Sequence, residues 1–212
     1  MTKISVNTVE RLILYRKILK SLISEGITNI YSHRLAHLAE NSPAQVRRDL
    51  MVVGYIGSPA HGYNTKVLED SISGFLDVQD GQRVAIIGLG KLGRAVQDYC
   101  KQRNSRINII ASFDVDPQKV NRMINGCFCY NISELDKIVS ELKIEVAIMT
   151  VPVVEEAQII AEKLVANGVK ALLNYTPAQL KLNPNIYIEN RDMMMALEKA
   201  AFFAKNFNVK NL

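Results

Sequence analysis

The stretch Arg83-Val84-Ala85-Ile86-Ile87-Gly88-Leu89-Gly90-Lys91-Leu92-Gly93 decides how the rest of the chain is read. A short apolar run ends in Gly-x-Gly-x-x-Gly, and a helical pattern, Arg94-Ala95-Val96-Gln97-Asp98-Tyr99, follows it. A dinucleotide site needs that order. Gly88 allows the tight turn out of a strand, and Gly90 lets the backbone approach a pyrophosphate with no Cβ in the way. Gly93 lets the helix pack close to the sheet, while Leu89, Lys91 and Leu92 carry the backbone of the turn and the helix start toward the phosphates. A second strand pattern, Ile107-Asn108-Ile109-Ile110-Ala111-Ser112-Phe113, ends in Asp114, about 20 residues beyond the last glycine. An acid there accepts hydrogen bonds from the adenosine ribose and repels a 2′-phosphate, which predicts NAD or NADH rather than the phosphorylated forms.

Outward from this turn toward the C-terminus, strand and helix patterns alternate. Apolar strand patterns fall at 84–87, 107–113, 145–151 and 169–173, with a weaker one at 186–188, and an amphipathic helix spans 155–167. Alternation of this kind predicts an α/β domain, a Rossmann-like parallel sheet with helices on both faces. Ligands of such sheets bind at the carboxyl ends of the strands. Thr150 and Pro152 follow one strand and Asn174 follows another, so these three are expected at the ribose and nicotinamide. No catalytic set accompanies them. The three histidines, His33, His37 and His61, all precede the glycine turn, and Tyr175 has no lysine four residues later. That predicts a binding protein that is not an enzyme. The alternative is an NAD-dependent oxidoreductase with a structural N-terminal domain, and a CoA-type ligand is a further possibility for such a turn.

The N-terminal part has a different rhythm. Val6, Leu12, Ile13, Tyr15, Ile18, Leu19, Leu22 and Ile23 repeat at helical spacing until Gly26. A short second helix starts with Ser32 as its cap. Ser42-Pro43-Ala44-Gln45 then has the form of a capping box, with proline in the first turn. The third helix turns Val46 and Leu50 inward and is expected to expose Gln45, Arg47, Arg48 and Asp49. Gly57, Pro59 and Gly62 mark a hairpin loop closed by Tyr63. Three helices and a hairpin describe a winged helix-turn-helix, whose second motif helix enters the major groove of DNA. Gln45 can pair with adenine, and Arg47 or Arg48 with guanine or phosphate. Asp49 is expected to orient a neighbouring arginine, and His61 and Tyr63 to reach phosphates or a minor groove from the wing.

A polar, turn-prone segment at 77–81 separates the halves, which predicts a winged-helix domain at 1–80 and a Rossmann-like domain at 81–190. The segment 191–212 is expected to hold a helix at 191–205 with Met193, Met194, Met195, Leu197, Phe202 and Phe203. So much apolar surface must be buried on this chain or on a partner.

The chain has 212 residues, 48% of them hydrophobic, with a net charge of +5 that fits nucleic acid binding. No apolar run approaches the roughly 20 residues of a membrane span. The N-terminus lacks the build of a secretory signal, which predicts a cytoplasmic protein. Three cysteines argue against a disulfide scaffold, and Cys127 and Cys129 read as buried thiols on one strand. His33 and His37 share a helix face without an acidic or cysteine companion, so no metal site is expected.

With a winged helix joined to an NAD-type fold, the chain resembles the Rex family of redox-sensing transcriptional repressors over nearly its whole length. The resemblance is carried by Arg11-Leu12 with Tyr15, by Gln45-Val46-Arg47-Arg48-Asp49-Leu50, by Gly54, Gly57 and Gly62-Tyr63, and by the glycine turn. Further along it is carried by Phe113-Asp114-Val115-Asp116-Pro117 with Lys119, by Thr150-Val151-Pro152, by Leu173-Asn174-Tyr175 and by Glu189-Asn190-Arg191-Asp192. It implies a homodimer with exchanged C-terminal helices that binds a pseudo-palindromic operator in double-stranded DNA and releases it as NADH rises relative to NAD. By residue, it implies that Gly88, Gly90, Gly93 and Asp114 hold the dinucleotide, with Lys119 near the adenosine, and that Arg47 and Arg48 grip DNA. It also implies a polar switch of Tyr99 and Asp192 joined by an arginine of the first helix. That position is Lys17 here, and lysine cannot make the two-bond contact of arginine with a carboxylate. Met193 stands where the family has phenylalanine, Val53 where it has an aromatic, and Ser58-Pro59-Ala60-His61 replaces the segment with its wing arginine.

Overall fold

The computed structural model describes residues 4–58, 61–78, 81–102 and 107–206. The chain divides into two compact units, Met1–Gln79 and Asp80–Leu212.

In the first unit α1 spans Val6–Ser24 and starts on Ser5, whose Oγ accepts the Thr8 N–H at 3.2 Å. Leu12, Tyr15, Leu19 and Leu22 recur every three or four residues and are buried as one stripe. The two-residue strand β1 is Asn29–Ile30, α2 is Ser32–Leu38 and α3 is Pro43–Val52. The strand β2, Tyr63–Asn64, pairs antiparallel with β1, matching Ile30 with Tyr63. The helix α4, Thr65–Leu76, closes the unit with Leu68 and Ile72 buried in the same core as Val46 and Leu50. Each such side chain contributes roughly 1.5–3 kcal/mol on leaving water.

The structure departs from the sequence expectations in three places here. Ser32 is the first residue of α2 and Tyr31 holds the cap position with no side-chain cap bond. The box at α3 is half made: Ser42 Oγ accepts the Gln45 N–H at 3.1 Å, but the Gln45 amide donates to Asp49 instead of returning to the cap. Helix α4 has no counterpart among those expectations, because Lys66, Glu69, Asp70, Ser73 and Gly74 dilute its apolar stripe.

In the second unit the strands are β3 (Gln82–Ile87), β4 (Ile107–Asp114), β5 (Arg122–Ile124), β6 (Cys127–Asn131), β7 (Val146–Met149), β8 (Ala171–Asn174) and β9 (Tyr187–Asn190). The helices are α5 (Lys91–Gln102), α6 (Leu135–Glu141), α7 (Val154–Ala166) and α8 (Met193–Asn206). The sheet runs β5-β6-β4-β3-β7-β8-β9 and is parallel except for β5, which pairs antiparallel with β6. That hairpin turns on Asn125 and Gly126, both at positive φ, as a two-residue Asn-Gly turn requires.

Along β3, Ala85 and Ile87 enter one core with Phe113, Leu135, Ala157 and Leu164, while Val84 and Ile86 enter another with Leu89, Cys129 and Ile148. Two-residue alternation therefore seats helices on both faces. Strand and helix limits differ from expectation by one to three residues, with β8 at Ala171–Asn174 in place of 169–173 and α8 at Met193–Asn206 in place of 191–205. Cys127 and Cys129 are buried, and burial pushes both thiols up.

Candidate functional site

Strand order reverses around β3, which has β4 on one side and β7 on the other, and the glycine turn leaves its carboxyl end there. Gly88 has φ +93 and its N–H reaches the Phe113 carbonyl at 2.8 Å. A Cβ on Gly93 would lie 2.0 Å from the Gly88 carbonyl oxygen, so helix and turn touch backbone to backbone. Thr150, just past β7, donates its hydroxyl to the Gly88 carbonyl at 2.7 Å, with the Ile87 carbonyl also in reach at 3.0 Å. Gly90 is different: a Cβ there would meet nothing within 4 Å. The fold does not demand that glycine, whereas a ligand lying on the turn would.

Asp114 ends β4 and is buried beside the turn. Its Oδ2 accepts the Leu89 N–H at 2.7 Å and the Lys119 ammonium at 3.1 Å, and its Oδ1 accepts the Asp116 N–H at 2.9 Å. Burial works to raise its pKa, but the N–H groups of Asp116 and Leu89 together with Lys119 outweigh burial and hold it below the ordinary carboxylate value. Lys119 also lies 3.4 Å from Asp116. Asp114 thus shapes the turn and carries a fixed charge, and a carboxylate's remaining acceptor capacity suits a hydroxyl donor.

These groups border one cleft of ≈ 380 Å³, lined by Gly88, Gly90, Asp114, Lys119, Thr150 and Pro152 with apolar walls that include Val115, Ile132 and Ile160. That volume lies within the range of small-molecule sites. The donor set and the open face of Gly90 fit a nucleotide, with the first turn of α5, Lys91 and Leu92, supplying N–H groups that lack intrahelical partners. Asn174 corrects the expectation. Its Nδ2 donates to the Ala178 carbonyl and to Asn190 Oδ1, each at 2.9 Å, and its Oδ1 accepts from the Thr176 N–H and hydroxyl at 3.0 and 2.7 Å. The side chain is buried and spent on the turn after β8.

In the first unit α3 exposes Arg47 and Arg48, and Arg47 is steadied by a 3.2 Å bond to Ser32 Oγ. Asp49 corrects its expected exposure. It is 2% exposed and faces α1, where Arg11 grips it through Nε at 2.7 Å and Nη2 at 2.8 Å, and Tyr15 donates its hydroxyl at 3.0 Å. Burial would raise Asp49, but the bonds from Arg11, Gln45 and Tyr15 prevail and hold it below the usual value. The arginine it orients therefore belongs to the first helix. The wing loop closes through Ser58 and Gly62, which exchange backbone hydrogen bonds at 2.8 and 2.7 Å. His61 is exposed on it, whereas Tyr63 is buried, its ring 6.0 Å from that of Tyr55. Tyr63 packs the wing onto the core and does not offer its ring to a groove. Pro59 and Ala60 lie outside the described residues.

Lys17 is exposed on α1, next to Arg16, whose guanidinium holds Asp77 at 2.6 Å. Tyr99 and Met193 are exposed in the second unit. Asp192 caps α8, its Oδ1 accepting the N–H groups of Met194 at 2.9 Å and Met195 at 3.0 Å. Among the described residues no group of three or more histidine, cysteine and acidic side chains could hold a metal, and no helix is long and apolar enough to cross a membrane.

Residues 3–50 match the family described as "Putative DNA-binding protein N-terminus", and residues 79–178 match the family described as "CoA binding domain". The redox-sensing transcriptional repressor Rex of Listeria welshimeri serovar 6b is 34% identical over 209 residues, which cover 99% of this chain and 97% of that protein. The chain belongs to the Rex family of redox-sensing transcriptional repressors. RSP, a Rex-family repressor solved in complex with β-NAD+ and operator DNA, is similar at a TM-score of 0.89 and 26% identity, over 97% of this chain and 94% of that one. RSP in complex with β-NADH gives a TM-score of 0.84 at 26% identity, over 97% of this chain and 96% of that one. Rex family membership thus spans both units, the winged helix with its basic α3 and the sheet with its glycine turn.

Proposed function

We propose that this chain is a transcriptional repressor that binds operator DNA through α3 and its wing and releases it when NADH occupies the cleft at Gly88–Gly93. The observation that carries the reading is Gly90, a glycine with open space around it at the mouth of a cleft, in the same chain as a helix exposing two arginines. Asp114 takes ribose hydroxyls, Lys119 borders the adenosine, and Pro152 and Thr150 lie toward the nicotinamide. Arg47, Arg48 and Gln45 face the groove and His61 the backbone beside it.

The working form is a homodimer on a pseudo-palindromic site, since two half-sites need two recognition helices at fixed spacing. Its three parts are a DNA-binding region to residue 80, a nucleotide-binding region from 81 to 190 and a dimerisation segment from 191 to 212. The exposed apolar helix α8 supports exchange between protomers, and the response to nucleotide state is assigned to Asp192, Met193 and Tyr99 of the second unit and to Lys17 of the first. A protein working on operator DNA acts in the cytoplasm, and no turnover is part of this role.

The test is operator binding across a series of NADH/NAD ratios, with CoA as a separate arm because residues 79–178 match a family named for it. Release by NADH at constant total nucleotide is the expected result. Release by CoA alone, or steady consumption of NADH with a panel of carbonyl compounds, would overturn the reading.

A further inference from the structure

The hydrogen-bond arrangement on α3 has a consequence for base recognition, given that α3 enters the groove as proposed above. Gln45 is in the first turn of α3, where helix-turn-helix proteins meet base edges. Its Nε2 donates to Asp49 Oδ1 at 2.9 Å, one helical turn further on. Asp49 Oδ2 accepts Arg11 Nε and the Tyr15 hydroxyl, and its Oδ1 accepts Arg11 Nη2 and Gln45. An ionised carboxylate offers about four acceptor positions and no donor. All four are therefore filled, and only the nitrogen end of the Gln45 amide can face it. The reverse orientation would set a carbonyl oxygen against a carboxylate oxygen.

We infer that Asp49, clamped by Arg11, is a positioning residue that fixes the polarity of the Gln45 amide and so makes Gln45 a reader of adenine. With one N–H committed to Asp49, Gln45 keeps one N–H and its Oε1 for the groove. Adenine presents an acceptor, N7, beside a donor, its N6 amino group, which is the matching pair. Guanine presents two acceptors there, N7 and O6. Guanine would meet Oε1 with an oxygen, and the amide cannot turn over to relieve the clash. Arg47 and Arg48 on the outer face remain available to phosphate or guanine.

The test uses the full-length chain and a duplex that it selects from a random library, with every base pair then replaced singly. Wild-type protein should show an A·T pair in each half-site whose replacement by G·C weakens binding about tenfold or more. Deleting the N6 amino group of that adenine, or replacing its N7 by carbon, should weaken binding comparably. Gln45→Ala should abolish those three sensitivities while leaving preferences at other positions and the salt dependence unchanged, because phosphate contacts set the latter.

Asp49→Asn should likewise lose adenine discrimination at that position only, since an amide can face Gln45 with either end. Should Asp49→Asn fail to fold, Gln45→Glu decides the point. Beside a charged Asp49 it should bind every duplex more weakly. A shift to cytosine at full affinity would mean that Asp49 exerts no control, because a free glutamate accepts from the cytosine amino group. Retained adenine preference in folded Asp49→Asn, or unchanged preferences in Gln45→Ala, would overturn the inference while leaving the repressor reading intact. Failure of the wild-type chain to enrich any sequence would remove both.

Discussion

Adding a methyl group at Gly93 would put a carbon 2.0 Å from the Gly88 carbonyl oxygen, whereas a methyl at Gly90 would meet no atom within 4 Å. The two substitutions should therefore separate fold from ligand. Gly90→Ala should unfold at the wild-type temperature and bind NADH at least about tenfold more weakly, since the backbone must approach the pyrophosphate. Gly93→Ala should lose both, and equal melting temperatures for the two variants would refute the distinction. Asp114→Ala should weaken NADH in a calorimetric titration and raise NADPH affinity relative to it, because Lys119 loses the carboxylate 3.1 Å away and becomes available to a 2′-phosphate. Equal loss for both nucleotides would mean that Lys119 does not face that phosphate. The glycines and Asp114 were legible from spacing because the turn is local in sequence. The distant partners of Asp49 and Asn174 were not, since Arg11 lies 38 residues from the first and Asn190 lies 16 from the second, and only folding brings them together.

Between elements, the joint of α1 with α3 is held by charge as well as by packing. Asp49 and Asp114 are both held below the value of about 3.9 that an unfolded aspartate has. As pH falls, the unfolded chain takes up protons before the folded one, so the stability these groups contribute is full above that value and drains away below it. Acid unfolding followed by circular dichroism should start at lower pH in Asp49→Asn relative to its own neutral stability, because that source of pH dependence is gone. An unchanged acid slope would show that Asp49 is not among the groups that drive it. On the alkaline side, burial and then Asp49 raise Tyr15 above the ordinary tyrosine value, so the unfolded chain ionises first there and stability falls as pH rises past about 10. The element types of the sheet were readable from apolar runs. Helix α4 and strand β5 escape periodicity: the first hides its buried Leu68 and Ile72 among polar neighbours, and the second is only three residues long.

Across the whole molecule, ligand and DNA can influence each other only through a difference in affinity between two states, and the influence is mutual. If NADH lowers operator affinity by some factor, saturating operator must lower NADH affinity by the same factor. Titrating NADH with and without operator DNA measures this, and an NADH affinity that saturating operator leaves unchanged would exclude the coupling. A chain ending before Arg191 should sediment as a monomer and lose tight operator binding. None of the 14 residues of α8 is buried, although it carries Met193, Met194, Met195, Leu197, Phe202 and Phe203. An isolated helix of this length is marginal in water, even in favourable sequences. On the dimer proposed above its order is supplied by another chain, and folding of the C-terminus is then a second-order reaction. Helicity should fall on dilution, amide exchange in residues 193–206 should speed up with it, and newly made subunits should stay frayed at that end until they meet.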